Sequence, residues 1–271
     1  MPELPEVETI CQGLWPHLEG RRITGVTLRR PDLRWPIPAE VTRLLPGQVI
    51  LGLRRRAKYL LLEVAPGSAL LHLGMSGSLR VLDARTPVQA HDHVDISLDS
   101  GQVLRFRDPR RFGCLLWQAP GETHALLRDL GPEPLGPEFD GDLLFRRSRN
   151  RSASIKTFLM DQDTVVGVGN IYAAESLFRA GIDPARPAGE LTRARCRKLA
   201  QAVREILGQA ILAGGTTLKD FVHSDGSPGY FRQELLVYGR EGELCLTCGT
   251  QLRGNRLGNR ATVWCPRCQR S

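Results

Sequence analysis

The sequence begins with MPELPEVETI, residues 1–10, a stretch with the features of a helix start. Pro5 suits the first turn of a helix, and the carboxylates of Glu6 and Glu8 favour the positive end of its dipole. Apolar side chains then recur with helical spacing at Val7, Ile10, Cys11, Leu14 and Trp15. The stretch predicts an amphipathic N-terminal helix, whatever the protein does.

The same stretch is suited to covalent chemistry. Removal of Met1, which a small second residue such as Pro2 permits, exposes a secondary amine. That amine condenses with an aldehyde-level carbon to a permanently cationic iminium ion, which is an electron sink for elimination reactions. An α-amino group has an ordinary pKa of about 8, so a small decrease makes it neutral near pH 7. A helix start without chemistry is the alternative interpretation of these residues taken alone.

The composition is that of a basic protein of two domains. The chain has 271 residues, a formal net charge of +8 and a pI of about 9.4. Residues 1–135 carry a net charge of +2, and residues 136–271 carry +6, so a polyanionic partner is expected mainly for the second half. No apolar run approaches 18 residues, and the N-terminus lacks the features of a signal peptide. These features predict a soluble, cytoplasmic protein.

Short β-rich runs follow the first helix, separated by Pro-Gly and Ser-Gly turns. Regularly spaced short strands of this kind are typical of an antiparallel β-sandwich or barrel. A first domain is predicted over residues 1–130. Strands are predicted at 23–28, 49–55, 59–64, 69–73, 78–82, 93–98, 103–107 and 113–118.

The second half changes to a helical pattern. Three prolines in GPEPLGP, residues 131–137, exclude a helix or central strand there and predict a linker, assigned to 131–150. Helices are expected at 154–161, 170–180 and 192–213, inside a helical domain of residues 151–235. The fold class is therefore α+β, with an N-terminal antiparallel β-sandwich and flanking helices before a helical second domain.

Four cysteines give the most specific pattern in the chain. Two CxxC pairs, separated by sixteen residues, have the spacing of a tetrahedral zinc site formed by a hairpin. Four protein ligands leave no open position, so the zinc is expected to be structural, in a finger over 236–271. Unliganded or disulfide-bonded cysteines are the alternative. The predicted ligands are Cys245, Cys248, Cys265 and Cys268.

Other motifs are ambiguous by themselves. VVGVGNIY, residues 165–172, is either a phosphate-binding turn at a helix start or an ordinary turn between helices. RRRAKY, residues 54–59, is a basic run that usually forms a solvated face. HDHVD, residues 91–95, has metal-ligating types on one strand face, but nothing supplies a second cluster. A glycine-rich loop over 214–229 is either flexible or a lid.

Five separated motifs, from the N-terminal MPELPEVET to the NRAT of residues 259–262, resemble in order those of bacterial formamidopyrimidine-DNA glycosylases, which repair 8-oxoguanine in DNA. The resemblance implies a β-sandwich, a helix-two-turns-helix domain, a β-hairpin zinc finger and one structural zinc. It also implies a monomer that acts on double-stranded damaged DNA. Loop 214–229 is similar to the family's lesion-capping loop.

The resemblance implies roles for individual residues. Pro2 is the nucleophile, Glu3 the general acid and base, Glu6 a shaping carboxylate, and Lys58 a groove cation in the active site. Met75, Arg110 and Phe112 fill the space left by a flipped base. Further DNA contacts are implied for His72, His91, Arg111, Asn170, Tyr172, Lys219 and Arg260.

The activity implied is base excision followed by β,δ-elimination through a Schiff base to Pro2. The related endonuclease VIII, which acts on oxidised pyrimidines, shares the Pro2 and Glu3 chemistry and the finger. Leu4 and the GGTTLKD stretch of residues 214–220 are more similar to the purine enzymes. A non-catalytic binder of damaged DNA is the alternative from another functional class.

Overall fold

The computed structural model describes residues 1–214 and 235–270, which divide into two compact units. Unit 1 is Met1–Arg128, and unit 2 is Asp129–Ala213 together with residues 235–270. None of the helices in these residues is long and apolar enough to cross a membrane. Lys219 and all but the first residue of the predicted loop 214–229 lie outside the described residues.

Unit 1 begins with α1, Leu4–Leu18, whose apolar face is buried as the sequence predicts. Two short helices that the sequence pattern does not predict are α2, Ala39–Leu44, and α3, Ala125–Arg128. All eight predicted strands are present, with ends within three residues of the predicted ones. They are β1 Ile23–Leu28, β2 Gly52–Arg56, β3 Tyr59–Val64, β4 Gly67–His72, β5 Ser78–Asp83, β6 Asp92–Leu98, β7 Gln102–Arg107 and β8 Cys114–Gln118.

These strands form two antiparallel sheets, in the orders β1-β6-β7-β5 and β2-β3-β4-β8. Alternate side chains of both sheets, together with the apolar face of α1, form one buried core. Leu62 and Ile96 represent the two sheets in this core and are 0% and 2% exposed. The predicted β-sandwich is confirmed, and its other faces remain available for polar side chains.

Unit 2 contains four α-helices, a short 3₁₀ helix at Ala188–Glu190 and a hairpin among its described residues. The α-helices are α4 Gly141–Ser148, α5 Ile155–Leu159, α6 Asn170–Ala180 and α7 Arg193–Leu212, and the hairpin strands are β9 Arg253–Leu257 and β10 Arg260–Trp264. Thr192 caps α7 by accepting the N–H of Arg195. The helical second domain and the β-hairpin finger are therefore confirmed.

The linker predicted over 131–150 does not hold for its second part, because α4 occupies Gly141–Ser148. The carboxylate of Asp140 caps this helix by accepting the N–H of Leu143 at 2.7 Å. Leu144 is 1% exposed, and α4 packs along α7. The three prolines restrict residues 131–137 only, and the Asp140 cap starts a helix directly after them.

Candidate functional site

The N-terminal residues form a capping box at the start of α1. The backbone N–H of Glu3 donates to Oε2 of Glu6 at 2.8 Å, and the Glu3 carboxylate accepts the N–H of Glu6. Glu3 and Glu6 are only 3% and 0% exposed. Pro2, which precedes Glu3, is also buried, whereas Met1 is 44% exposed. The predicted nucleophile therefore directly precedes two carboxylates held by reciprocal hydrogen bonds, and the residue to be removed is accessible.

Lys58 is positioned by the tight turn between β2 and β3. Its neighbour Ala57 has φ 53°, a left-handed conformation that costs a residue with a Cβ about 1–2 kcal/mol. Arg55 stabilises the turn by donating to the Ala57 carbonyl at 3.0 Å, and its Nε lies 2.6 Å from the Glu8 carboxylate of α1. The turn that carries Lys58 is thus tied to the helix that carries Glu3 and Glu6.

His72 ends β4 and is flanked across the sheet by Tyr59 and Cys114. Its Nδ1 accepts the N–H of Gly74 at 2.9 Å, and its ring lies 4.8 Å from that of Tyr59. Burial lowers the pKa of His72 to about 4, with further decreases from the cations of Lys58 and Arg34. His72 is therefore neutral at pH 7 and can offer only a neutral N–H donor, not a charge.

Two loops beside these residues carry the predicted void-filling side chains. Met75 and Phe112 are 38% and 46% exposed, so both apolar side chains are accessible to a ligand. The guanidinium of Arg110 lies 4.8 Å from the centre of the Phe112 ring. All three residues are therefore exposed on two loops, at 73–77 and 108–113, and Arg110 packs against Phe112.

A buried carboxylate that the sequence analysis missed holds both loops. Asp108 is 0% exposed, accepts from the hydroxyl of Ser76 at 2.9 Å and accepts the N–H of Gly113 at 2.8 Å. The loops touch so closely that a Cβ on Gly74 would lie 2.4 Å from the backbone nitrogen of Gly113. Only its place before Pro109 indicated a turn at Asp108, and nothing in the sequence indicated the direction of its side chain.

The side chains of residues 91–95 make structural contacts within unit 1. His93 Nε2 lies 2.9 Å from the Asp108 carbonyl oxygen, and Asp95 forms ion pairs with Arg105 at 2.8 Å and Arg29 at 2.6 Å. Burial raises the pKa of Asp95, but the hydrogen bonds from both arginines outweigh it and leave the pKa below its ordinary value. His91 is exposed, and its carbonyl accepts the N–H of Asp108 at 3.1 Å.

In unit 2, the N-terminus of α6 contacts the finger hairpin. Asn170 Nδ2 donates to the Ala261 carbonyl at 3.1 Å, whereas its buried Oδ1 has no hydrogen-bond partner among the described residues. Lys156, which the sequence analysis missed, is 1% exposed and donates from Nζ to the same carbonyl and to the Thr262 hydroxyl, both at 2.9 Å. These bonds place the hairpin tip against α5 and α6.

Arg260 is exposed next to that tip. Gly258 and Asn259 form the turn with φ 53° and 60°, and residues with positive φ suit a two-residue hairpin turn. A cleft of about 290 Å³ lies between the end of α5 and this turn, lined by Thr157, Met160, Asp161, Leu257, Gly258 and Arg260. The predicted phosphate-binding arginine therefore lies beside a turn that is anchored by the hydrogen bonds of Lys156 and Asn170 to Ala261 and Thr262.

Tyr172 and Glu175 face the interior of unit 2. Tyr172 is 0% exposed, so the packing does not support its predicted DNA contact, which stays a prediction. Glu175, missed in the sequence analysis, accepts the backbone N–H groups of residues 236–238 at 2.8 to 3.0 Å. It fixes the chain that leads into the finger, and no local pattern reveals contacts across sixty residues.

The four predicted cysteines converge in the finger. Their ligand atoms all lie within 4.8 Å of one another, with Sγ separations of 3.9 Å for Cys245 and Cys268 and 3.5 Å for Cys248 and Cys265. A tetrahedral zinc with bonds of about 2.3 Å requires sulfur atoms about 3.8 Å apart, so the residues fit the ion. They form the one such ligand group among the described residues, and they hold one structural zinc.

Three family models match the chain in the order of its domains. They are the formamidopyrimidine-DNA glycosylase N-terminal domain over residues 1–115, the formamidopyrimidine-DNA glycosylase H2TH domain over 130–222, and the zinc finger found in FPG and IleRS over 242–270. Together they span the sandwich, the helices and the finger described above.

Known proteins match over the whole chain. A formamidopyrimidine-DNA glycosylase of Stenotrophomonas maltophilia (strain K279a) is 69% identical, with 100% of each chain covered. The MutM (Fpg) protein of Thermus thermophilus matches with TM-score 0.89 and 40% identity, covering 99% of this chain and 98% of that one. A mutant Lactococcus lactis enzyme in complex with Fapy-dG containing DNA matches with TM-score 0.92 and 32% identity over all of both chains. This chain therefore belongs to the formamidopyrimidine-DNA glycosylase family.

Proposed function

We propose that this protein excises oxidised purines, 8-oxoguanine and formamidopyrimidines, from double-stranded DNA and then cleaves the abasic site by β,δ-elimination. Family membership supports the coarser statement, a DNA glycosylase that acts on damaged DNA. The observation that carries the cleavage of the abasic site is the buried capping box of Glu3 and Glu6, which begins directly after Pro2. A helix needs a cap but does not need two buried carboxylates beside an N-terminal secondary amine. The choice of purine lesions rests on the resemblance of Leu4 and the GGTTLKD stretch to the purine enzymes.

The reaction starts after removal of Met1. The Pro2 nitrogen attacks C1′ of the deoxyribose, the bond from C1′ to the base breaks, and the base leaves with its electron pair. Opening of the sugar ring then gives the cationic Schiff base, which draws the electrons released by the two elimination steps. Glu3 moves the protons that the departing base and the opening ring require. Glu6 holds the Glu3 backbone and adds negative charge near the developing cation.

A base turned out of the duplex leaves a space that costs a few kcal/mol of lost stacking. Met75 and Phe112 are apolar and exposed, which suits filling that space, and the planar cation of Arg110 beside the Phe112 ring suits facing the unpaired base. Their loops are held by Asp108, so the side chains need little ordering when DNA binds.

Phosphate contacts follow from charge and exposure. Arg260 and Arg111 are exposed cations, and Arg111 lies in the loop 108–113 with φ 55°. Asn170 lies in the first turn of α6, where backbone N–H groups attract anions. His72 contributes a neutral donor, and Lys58 contributes a cation next to it. His91 is an exposed ring beside the Asp108 loop.

The decisive experiment is borohydride trapping on a duplex with one 8-oxoguanine opposite cytosine. The mature protein is expected to form a covalent adduct, and a version extended at its N-terminus is expected to form none. E3Q should lower the excision rate by about two orders of magnitude or more, whereas E19Q, a change of an exposed glutamate at the end of α1, should not.

Other outcomes identify the alternatives. Tight lesion binding without any adduct would assign the chain to the non-catalytic binders. An adduct formed only with oxidised pyrimidines would assign it to the endonuclease VIII type. In size-exclusion chromatography, a monomeric elution volume with and without a short duplex would support the proposed monomer. The proposed location of the protein is the cytoplasm.

A further inference from the structure

The outer face of the sheet β1-β6-β7-β5 carries an arrangement of arginines that the proposed function does not use. Arg80 on β5 lies directly opposite Arg105 on β7, and Ser78 lies opposite Arg107. Since alternate residues point to opposite faces, these four side chains share the face away from the core. Like charges placed opposite each other across two strands destabilise a sheet unless something compensates them.

Arg105 is compensated within the protein. Its Nε and Nη2 donate to the Asp95 carboxylate, both at 2.8 Å, and its Nη1 donates to the carbonyls of Thr86 and Pro87. Asp92 lies 3.6 Å from the same Nη1 and also accepts the N–H of Gln89. The guanidinium of Arg105 is therefore saturated with partners.

Arg80 is not compensated in this way. Its Nε is buried and has no hydrogen-bond partner among the described residues, and no carboxylate within that part of the chain forms an ion pair with it. Arg107 donates from Nη1 to the side-chain oxygen of Gln89, an uncharged partner. Two guanidinium groups thus share one face without a carboxylate of their own.

The space between them forms a small pocket that is partly open to solvent. A pocket of about 100 Å³ is lined by Ser78, Arg80, Leu82, Thr86, Pro87, Gln89, Asp92, Arg105 and Arg107. Its lining carries three cations and one carboxylate, and that carboxylate is already bound by a backbone N–H. The ligand that such a pocket selects is an anion with several acceptor oxygens, because guanidinium forks bind phosphate oxygens in pairs.

We infer that Arg80 and Arg107, with the Ser78 hydroxyl, bind a backbone phosphate of the duplex at a distance from the damaged nucleotide. The strand β7 continues from Arg107 into the loop of Arg110, three residues on, and three residues span at most about 11 Å. A duplex engaged by Arg110 therefore brings its phosphates near the pocket. This inference rests on the proposed function for the source of the phosphate.

The pocket chemistry is tested without DNA by titrating the full-length protein with inorganic phosphate. The Nε–H resonances of Arg80 and Arg107 are expected to shift and saturate, and R80Q is expected to abolish the shift at Arg107. R85Q serves as the control, since Arg85 is an exposed arginine near β5 that is paired with Asp83. Absence of any saturable shift in the wild type would overturn the inference.

Whether the bound phosphate belongs to the DNA backbone is tested by the salt dependence of affinity for a duplex with an uncleavable abasic analogue. Loss of one phosphate contact lowers the slope of log K against log salt by about 0.9, so R80Q and R107Q should each show this decrease, for damaged and undamaged duplexes alike. R80K should restore part of the slope that R80Q loses. Borohydride trapping at saturating enzyme should be unchanged in all of these variants, which excludes misfolding. R85Q should leave the slope as it is.

The outcomes separate the two proposals. If the slope of log K against log salt were equal for R80Q, R107Q and R85Q, the proposed duplex contact would be overturned. If inorganic phosphate still shifted the Arg80 and Arg107 resonances in that case, the pocket would be a site for free phosphate. A wild type that binds no duplex would overturn the proposed function and the duplex contact together, while the phosphate titration would still decide the pocket chemistry.

Discussion

The loops of unit 1 and the finger of unit 2 present their exposed side chains by opposite electrostatic means. In unit 1 a buried anion, Asp108, accepts hydrogen bonds from both loops and leaves Met75 and Phe112 exposed. In unit 2 a buried cation, Lys156, donates to the finger hairpin and leaves Arg260 exposed. Neither buried charge is part of the proposed contact surface.

The difference follows from which backbone groups each region leaves unpaired. The turn 108–113 offers a backbone N–H group, at Gly113, which a carboxylate satisfies. The hairpin edge offers the Ala261 carbonyl, which an ammonium group satisfies. Buried backbone groups need partners, so the charge of the side chain beneath a functional turn is set by the turn. The finger has a further constraint in its zinc, and the loops of unit 1 have none among the described residues.

Removal of zinc should have the largest effect and should be confined to unit 2. Structural zinc supplies about 10–16 kcal/mol in isolated fingers, far more than a hydrogen bond. Cys248→Ser is therefore expected to unfold the finger, release Arg260 and reduce duplex affinity at least tenfold, while the unfolding transition of unit 1 remains. Zinc content by chromogenic chelator and affinity by titration measure this. Cys196→Ala, a buried thiol on α7, is the control, and one zinc per chain with normal affinity in Cys248→Ser would contradict the prediction.

Asp108→Ala should have the next largest effect, in unit 1. It leaves the Gly113 N–H buried without its partner and breaks the bond to Ser76, at a cost of about 3 kcal/mol. The excision rate should fall more than the affinity for undamaged DNA, because the loops lose their order. Denaturant unfolding and single-turnover excision test this against Asp99→Ala, which changes an exposed aspartate. Equal losses in both variants would show that Asp108 does not organise the loops.

The sequence predicted the features that depend on local patterns. β-Rich runs between turn residues located all eight strands of the sandwich, and CxxC spacing located the zinc ligands. Each of these depends on residues a few positions apart, so composition and spacing suffice to find it. The exposed side chains of the candidate site came from the resemblance to the family, and their roles stay predictions.

The buried charged residues that hold the loops and the finger in place, such as Lys156 and Glu175, could not be predicted from local patterns. Lys156 bonds to a carbonyl 105 residues away, and Glu175 binds backbone groups more than sixty residues away. A buried lysine or glutamate is rare enough that the prior for any one position is exposure. Tyr172 shows the reverse case, since an aromatic residue in a glycine-rich motif was assigned a DNA contact and packs in the core.

Lys156→Met tests the unit 2 half of the comparison. The Lys156 side chain is 1% exposed, and the substitution removes its hydrogen bonds to the Ala261 carbonyl and to the Thr262 hydroxyl. Among the contacts described above, the Ala261 carbonyl then keeps only the one from Asn170. We expect a loss of about 2 kcal/mol in the stability of unit 2 and weaker duplex binding at unchanged zinc content. Lys198→Met, an exposed lysine on α7, is the control. A loss of zinc along with the affinity would mean that the hairpin tip and the metal are not separable.

The smallest effect is expected for His72→Asn, and it should depend on pH. The pKa of His72 is lowered from 6.5 to about 4, so between these values the unfolded chain binds a proton that the folded chain does not. The wild type therefore loses stability as the pH falls through that window, by about 1.4 kcal/mol at pH 5.5 relative to pH 8. The amide side chain introduced by this substitution keeps an acceptor for the Gly74 N–H but has no proton to gain, so the unfolding free energy of the variant should change less between the two pH values. His17→Asn, which changes an exposed histidine, should follow the wild type, and parallel profiles for all three proteins would mean that His72 is not held neutral by the fold.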